Sequence, residues 1–318
     1  MQKRKLGNSE LEITPVGLGT WALGGPGEWG WGPQDDQNSI EAIRHAIDSG
    51  INWLDTAPAY GLGRSEQVVG QALQGLATRP YVFTKCSQVW EEGDTGTTNN
   101  LSPASIRREV EDSLRRLRID AIDLYQIHWP IPDKDIEAGW QTLADLQRAG
   151  KVRYIGVSNF DVNQMKRAMP IAPITSNQLP FSAVRPDIRE EVLPFCEANN
   201  IGVIVYSPLQ AGLLSGKMTK ERAAALPDGD WRARDAQFNE PRLSRNLALQ
   251  ELMAQIGHEY GRTAAEVAIA WTLAHSAVTA AIVGARRPDQ VDGFIGALDF
   301  RLDAASLERI NTFINEHP

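Results

Sequence analysis

Four side chains in the first half of the chain have the types and the order for moving a proton: Asp55, Tyr60, Lys85 and His128. Asp55, Lys85 and His128 each close a short apolar run, and Tyr60 follows the first of those runs. A free phenol has a pKa of about 10 and keeps its proton at neutral pH, whereas a lysine ammonium beside it favours the phenolate and lowers that value. Asp55 could hold the ammonium, and His128 could hydrogen-bond a carbonyl oxygen where negative charge develops. Such a set suits carbonyl reduction, with Tyr60 as general acid and hydride from a nicotinamide. Singly, each residue also has a structural reading: Asp55 and Lys85 as a buried ion pair, His128 as a satisfied core histidine, Tyr60 as a rim aromatic. Together, an aspartate, a lysine and a histidine closing consecutive apolar runs form a costly polar cluster unless they serve chemistry.

The runs that position them recur along all 318 residues: Pro15–Gly19, Ile51–Asp55, Tyr81–Lys85, Asp123–His128, Arg153–Ser158, Ser176–Leu179, Gly202–Ser207 and Ala280–Ala285. They are continuous rather than alternating, as in strands covered on both faces of a parallel sheet. Helix patterns lie between them. Ile40, Ile43 and Ile47 share a face that stops at Gly50; Ser102-Pro103 opens a helix with Ile106, Val110, Leu114 and Leu117 on one side; Asp135 to Ala149 is closed by Gly150. Strict alternation predicts an α/β fold, a closed (β/α)8 TIM barrel, with residues 1–318 as a single domain. In a barrel the carboxyl ends of the strands converge on one pocket, which is where the four polar residues fall. Residues 3–14 carry two extended runs around Gly7-Asn8-Ser9 and predict an N-terminal β-hairpin capping the bottom of the barrel, a frayed terminus being the alternative. Two irregular stretches, Gly24–Asp36 and Lys217–Arg242, follow strand ends.

Composition excludes several classes. The formal charge of -8, from 40 acidic and 32 basic residues with no basic run, argues against nucleic-acid or anionic-membrane partners and for a small soluble ligand. The two cysteines, Cys86 and Cys196, lack ligand spacing, so no metal is expected and a reducing, cytoplasmic location is. MQKRKLGNSELEI has no apolar stretch behind its charges and does not resemble a signal peptide. The alanine-rich 264–285 segment contains Glu266 and His275 and reads as a buried helix followed by a strand, not a membrane span. Gly25, Gly27 and Gly30 spell GxGxxG, yet Trp31-Gly32-Pro33 follows and no helix pattern begins before Asp36, so a Rossmann turn is not expected.

The sequence resembles the aldo-keto reductase family over nearly its whole length. Asp55-Thr56-Ala57-Pro58-Ala59-Tyr60-Gly61 is similar to that family's DTAxxYG, Thr84-Lys85 to its TK strand, and Leu124-Tyr125-Gln126-Ile127-His128 to its LYQxH segment. The resemblance implies Asp55, Tyr60, Lys85 and His128 as the catalytic residues of an oxidoreductase that reduces aldehydes or ketones with NADP(H). Gly156-Val157-Ser158-Asn159-Phe160 resembles GVSNF, which implies that Ser158 and Asn159, with Gln178, hold the nicotinamide carboxamide. Tyr206-Ser207-Pro208-Leu209, running into Gly212-Leu213-Leu214-Ser215-Gly216-Lys217, resembles YSPLxxGLLTGK; it implies Tyr206 stacked on the nicotinamide and a pyrophosphate wrap by Ser207, Pro208, Leu209, Gly212, Leu214, Gly216 and Lys217. Gly284, Arg286, Arg287 and Gln290 lie in a segment similar to the family's adenosine 2'-phosphate grip, where paired arginines favour NADP(H); Phe294 stands where many relatives have an adenine-binding asparagine.

By the same likeness Gly19, Thr20 and Trp21 stand beside the cofactor, as does Asp55. Trp21, Tyr60, Trp90, His128 and Trp129 are the candidate substrate pocket, with Trp29 and Trp31 as further lining, and an aromatic pocket suits hydrophobic aldehydes. The 217–242 loop is read either as a clamp over the pyrophosphate or as a solvated insertion. The expected partner is a small carbonyl substrate, on a monomer or weak homo-oligomer. The alternative from another class is a nicotinamide-binding sensor or regulatory subunit with little turnover.

Overall fold

Eight parallel strands close into a barrel in the computed structural model, which describes residues 2–27, 30–227 and 229–317. They are β1 (Val16–Gly19), β2 (Trp53–Asp55), β3 (Tyr81–Cys86), β4 (Ile122–Ile127), β5 (Val152–Ser158), β6 (Ser176–Pro180), β7 (Gly202–Tyr206) and β8 (Val278–Gly284). Each pairs in parallel with its neighbours in sequence, and β8 returns to β1 through Ala281↔Val16 and Gly284↔Gly19. All the apolar runs read from the sequence are strands, with ends moved by no more than two residues. They are buried on both faces, so a continuous apolar run is what the sheet requires.

Helices α1 (Asp36–Asp48), α2 (Arg64–Ala72), α3 (Pro103–Leu117), α4 (Ile136–Arg148), α5 (Val162–Ala168) and α6 (Val192–Ala198) follow β1 to β6 in turn. Asp35 caps α1 by accepting from the Asn38 amide at 2.8 Å, which satisfies one of the free N–H groups of the first turn. On α3 the apolar residues at helical spacing, Ile106, Val110, Leu114 and Leu117, are buried, together with Ser105, Glu109 and Ser113. After β7 come Arg242–Tyr260 and Ala264–Leu273, and all ten residues of the latter are buried. Segment 264–285 is therefore a core helix leading into β8, and among the described residues no helix is long and apolar enough to cross a membrane.

The N-terminal hairpin is ordered. Arg4–Lys5 pairs antiparallel with Glu12–Ile13, and Leu6, Leu11 and Ile13 pack against Trp53, Phe83, Leu124, Ile204, Ala280 and Ile282 of the barrel interior. Burial of these apolar groups, together with the bond from Trp53 Nε1 to Thr14 O at 2.9 Å, holds the hairpin across the amino ends of the strands. Gly7 turns the chain at φ +50°, and a Cβ there would lie 2.3 Å from Thr175 O and 2.5 Å from Gly202 N. Gly7→Ala is expected to cost about 3 kcal/mol, the sum of left-handed strain and a backbone clash, and to lower the urea unfolding midpoint accordingly.

The glycine motif makes no dinucleotide turn. Trp21–Leu23 is one 3-10 turn, Gly25 and Gly27 have positive φ, and the next helix starts only at Asp36; Glu28 and Trp29 lie outside the described residues.

Candidate active site

Asp55 is the last residue of β2, Lys85 lies near the end of β3, and His128 follows β4 directly. Lys85 is fully buried, and its Nζ donates to Asp55 Oδ1 at 2.7 Å, to Thr56 O at 2.9 Å and to the Tyr60 hydroxyl at 3.3 Å. Gln178 Nε2 donates to the other Asp55 oxygen at 2.8 Å, so the carboxylate is fixed from two sides. Tyr60 is carried on the loop after β2. Gly61 sits there at φ +64°, and a Cβ on it would stand 2.0 Å from Gly24 O, so only glycine lets the two loops touch. The Tyr60 and His128 rings meet edge to face with centroids 5.8 Å apart.

The electrostatics differ from the sequence expectation in one respect. Burial, reinforced by the Asp55 charge, pushes the Tyr60 phenol well above its ordinary pKa; it is not lowered. The ammonium that was expected to lower it is paired with Asp55 at 2.7 Å, so its pull on the phenol is offset and desolvation dominates. A phenol that keeps its proton is suited to be an acid. Burial, with the Lys85 charge added, holds His128 well below the ordinary imidazole value, so the ring is neutral at neutral pH. Its Nδ1 is buried and has no hydrogen-bond partner among the described residues. Burial also lowers the Lys85 ammonium, against the opposing pull of Asp55.

Above this group opens a cavity of about 1080 Å³, lined at every strand end: Gly19, Asp55, Gln88, His128, Ser158, Gln178, Tyr206 and Gly284. Most of the residues named from sequence line it, including Trp21, Tyr60, Trp129, Asn159, Ser207, Pro208, Leu209, Gly212, Lys217, Arg286 and Gln290. Asn159 joins two strand ends, donating to His128 O at 3.0 Å and accepting from the Tyr206 hydroxyl at 2.9 Å. Thr20 is buried and outside the lining, with its hydroxyl on Asp55 O at 3.0 Å. Leu214 is core, and the Gly216 amide donates to Gln250 Oε1 at 3.1 Å. Two side chains are turned elsewhere. The Arg287 guanidinium is exposed and paired with Asp289 at 3.0 Å, outside the cavity lining. Trp90 also lies outside that lining, with the Arg116 guanidinium 5.6 Å over its ring.

Several lining residues were not read from sequence. Gln88, Thr97 and Asn99 come from a small hairpin, Gln88–Val89 paired with Thr98–Asn99, in a polar loop whose composition carries no periodicity. The loop after β7, read from sequence as a clamp or a solvated insertion, adds its basic residues Arg222 and Arg232 to the lining. That loop is not a solvated insertion: Trp231 packs against Trp21 and Trp31 with centroids 5.5 and 5.8 Å apart, and Arg232 lies 4.9 Å over the Trp31 ring. Lys217, Arg222, Arg232 and Arg286 all line the cavity, Arg232 held by Asp230 at 2.6 Å, while the one carboxylate among the described lining residues, Asp55, is paired with Lys85. A chain of net charge -8 thus offers a cationic cavity.

A family model described as Aldo/keto reductase family matches residues 15–315. The aldo-keto reductase YhdN of Bacillus subtilis (strain 168) is 37% identical over 317 residues, covering 99% of this chain and 94% of that protein. The NADH-specific methylglyoxal reductase of Escherichia coli (strain K12) is 37% identical, with 96% of each chain covered. In three dimensions the chain is similar to a glycerol dehydrogenase from Gluconobacter oxydans, with a TM-score of 0.91 and 36% identity over 99% of this chain and 96% of that one. With the Asp55, Tyr60, Lys85 and His128 cluster at the carboxyl end of a closed barrel, these matches establish that the chain belongs to the aldo/keto reductase family of oxidoreductases and reduces carbonyl groups.

Proposed function

We propose that the protein reduces small aldehydes and ketones with NADP(H), Tyr60 giving the proton. The observation that carries this reading is the Lys85 Nζ held 3.3 Å from a protonated Tyr60 hydroxyl, facing a neutral His128 in a cavity lined by four cations. NADPH, when bound, supplies hydride to the carbonyl carbon. His128 hydrogen-bonds the carbonyl oxygen and orients it toward Tyr60. Tyr60 transfers its proton as charge builds on that oxygen, and the Lys85 charge stabilises the phenolate left behind. Asp55 keeps Lys85 in place.

The cation set fits a dinucleotide bearing an additional phosphate. Ser158, Asn159 and Gln178 would hold the carboxamide, Tyr206 the ring, and the 207–217 backbone with Lys217 the pyrophosphate. Arg286, whose guanidinium meets Gln34 Oε1 at 2.6 Å and Pro33 O at 2.5 Å at the cavity edge, would take the 2'-phosphate alone, since Arg287 is engaged by Asp289. Phe294, buried in the cavity wall, would offer adenine an apolar face in place of an asparagine amide. Arg286→Ala is expected to weaken NADPH about 10- to 100-fold, the worth of a charge-assisted phosphate contact, and NADH less than about threefold. Titration of tryptophan fluorescence measures both; equal weakening removes the NADP(H) preference.

Trp21, Trp31, Trp129 and Ile131 beside Gln88, Thr97 and Asn99 suit a small aldehyde with an apolar body and one further polar group. A panel of such aldehydes, read by NADPH consumption, tests the reading, and no turnover with any of them would leave a nicotinamide-binding sensor. We extend the reading to a cytoplasmic monomer or weak homo-oligomer. Both cysteines are free and buried, and the exposed large apolar side chains among the described residues are Trp129, Ile131 and Tyr260, the first two of which line the cavity.

A further inference from the structure

Left-handed, non-glycine residues follow directly on three strand ends around the cavity: Ser87 (φ +82°) after β3, Asn159 (φ +62°) after β5 and Ser207 (φ +56°) after β7. Asn159 and Ser207 line the cavity already described. Ser87 does not; it is fully buried, and an L-residue held there carries a conformational cost that its surroundings must outweigh. Every polar group of Ser87 is bonded. Its N–H donates to Glu109 Oε2 at 2.8 Å, its carbonyl accepts from the Asn100 amide at 2.9 Å, and its Oγ meets Trp129 O at 3.3 Å and Trp129 N at 3.4 Å. Alongside, the His128 amide donates to Cys86 O at 3.0 Å. One residue thus ties the strand bearing Lys85 to the segment bearing His128. It also ties both to the hairpin that puts Gln88, Thr97 and Asn99 into the cavity.

Glu109 reaches this turn from α3. It is 6% exposed, and its second oxygen accepts from Ser105 Oγ at 2.9 Å. Among the described residues no cation is bonded to it: Arg108 and Arg116 on its own helix act only at a distance, and the titratable groups facing it from β3 and β4 are Cys86 and Tyr125. A buried carboxylate without an ion pair is costly, and what this one does is hold the Ser87 N–H. We propose that Glu109 and Ser87 are a positioning pair for carbonyl reduction: Glu109 clamps the left-handed turn, and the turn sets where His128–Trp129 and the Gln88–Asn99 hairpin stand against Tyr60 and Lys85. Neither residue touches substrate. Burial raises the Glu109 carboxyl to about 7, so the clamp is a charge-assisted bond on the alkaline side of neutrality and a weaker neutral one on the acid side.

The proposal rests on the carbonyl-reductase assignment and is tested by steady-state kinetics with NADPH and an aldehyde between about pH 6 and about pH 8, for wild type, Ser87→Gly and Glu109→Gln. Glycine accepts the left-handed turn without steric strain, which offsets the loss of the Oγ bonds and the added chain entropy, so Ser87→Gly still folds with a melting temperature within about 5 °C of wild type; losing the Oγ tie lowers kcat about tenfold and leaves NADPH affinity unchanged. Wild-type kcat rises with pH through a step near 7. Glu109→Gln stays at the acid-side value throughout, with no step. Wild-type kcat in Ser87→Gly, no step in the wild type, or a step that survives in Glu109→Gln overturns the pair. Wild type that turns over no aldehyde removes the reductase reading and this one together, whereas active wild type with indifferent variants removes this one alone.

Discussion

Tyr60→Phe is expected to lower kcat for aldehyde reduction by about 10³-fold while leaving NADPH affinity within about twofold. The size follows from the role: a positioned general acid contributes about 10² to 10⁴ in rate, and phenylalanine keeps the ring, its edge contact with His128 and its packing while removing the transferable proton. Cofactor affinity is preserved because the cations Lys217, Arg222, Arg232 and Arg286 are separate side chains from the phenol. Stopped-flow or steady-state rates measure the first quantity and tryptophan quenching the second. Turnover within tenfold of wild type would end the assignment of Tyr60 as the acid. The pH response has a definite sign. Tyr60 acts in its protonated form, and burial raises its pKa above the ordinary value, so loss of this acid begins only in the strongly alkaline range. His128 contributes no step near its ordinary value, since burial keeps it neutral down to well below that range.

Lys85→Met is expected to have two large effects at once. Lys85 is fully buried and Asp55 2% exposed, so removing the ammonium leaves a carboxylate in the barrel with no cation at 2.7 Å. Breaking one side of a buried pair costs about 3–5 kcal/mol, even where the intact pair adds little, because the remaining charge has lost its solvation and its partner. Urea unfolding should therefore show a much lower midpoint, and kcat should fall at least about 10²-fold as the phenolate loses its neighbouring charge. Adding Asp55→Asn removes the orphan and should restore part of the stability but none of the activity, which a double-mutant cycle resolves. A stability loss in Lys85→Met below about 1 kcal/mol would contradict the buried-pair account.

Local pattern carried a large part of the architecture. Apolar runs such as Tyr81–Cys86 are strands because a strand covered on both faces must be apolar along its length, and Gly50 marks the end of α1 because the chain there takes φ +101°. The polar cluster was legible for the same reason: Asp55, Lys85 and His128 stand where apolar runs stop, and a barrel gathers those points. The hairpin at 3–14 and its place under the barrel were visible, but which side chains meet Leu6 and Leu11 was not, since Trp53, Phe83 and Ile204 come from distant parts of the chain.

Residue type and periodicity alone were enough for the barrel and for placing Asp55, Tyr60, Lys85 and His128 at or just after its strand ends, whereas the segments proposed to face the cofactor were read from the family resemblance. The folded chain was needed to see that Arg286 and not Arg287 lines the cavity, that Trp90 packs under Arg116, and that Trp231 and Arg232 fold onto Trp21 and Trp31. It also decided that the Tyr60 phenol is raised, not lowered. The reason is common to all of these. Where a long polar side chain points, and how far its charge is felt, depend on desolvation and on partners brought from far along the chain, and neither quantity is written in a local stretch of residues.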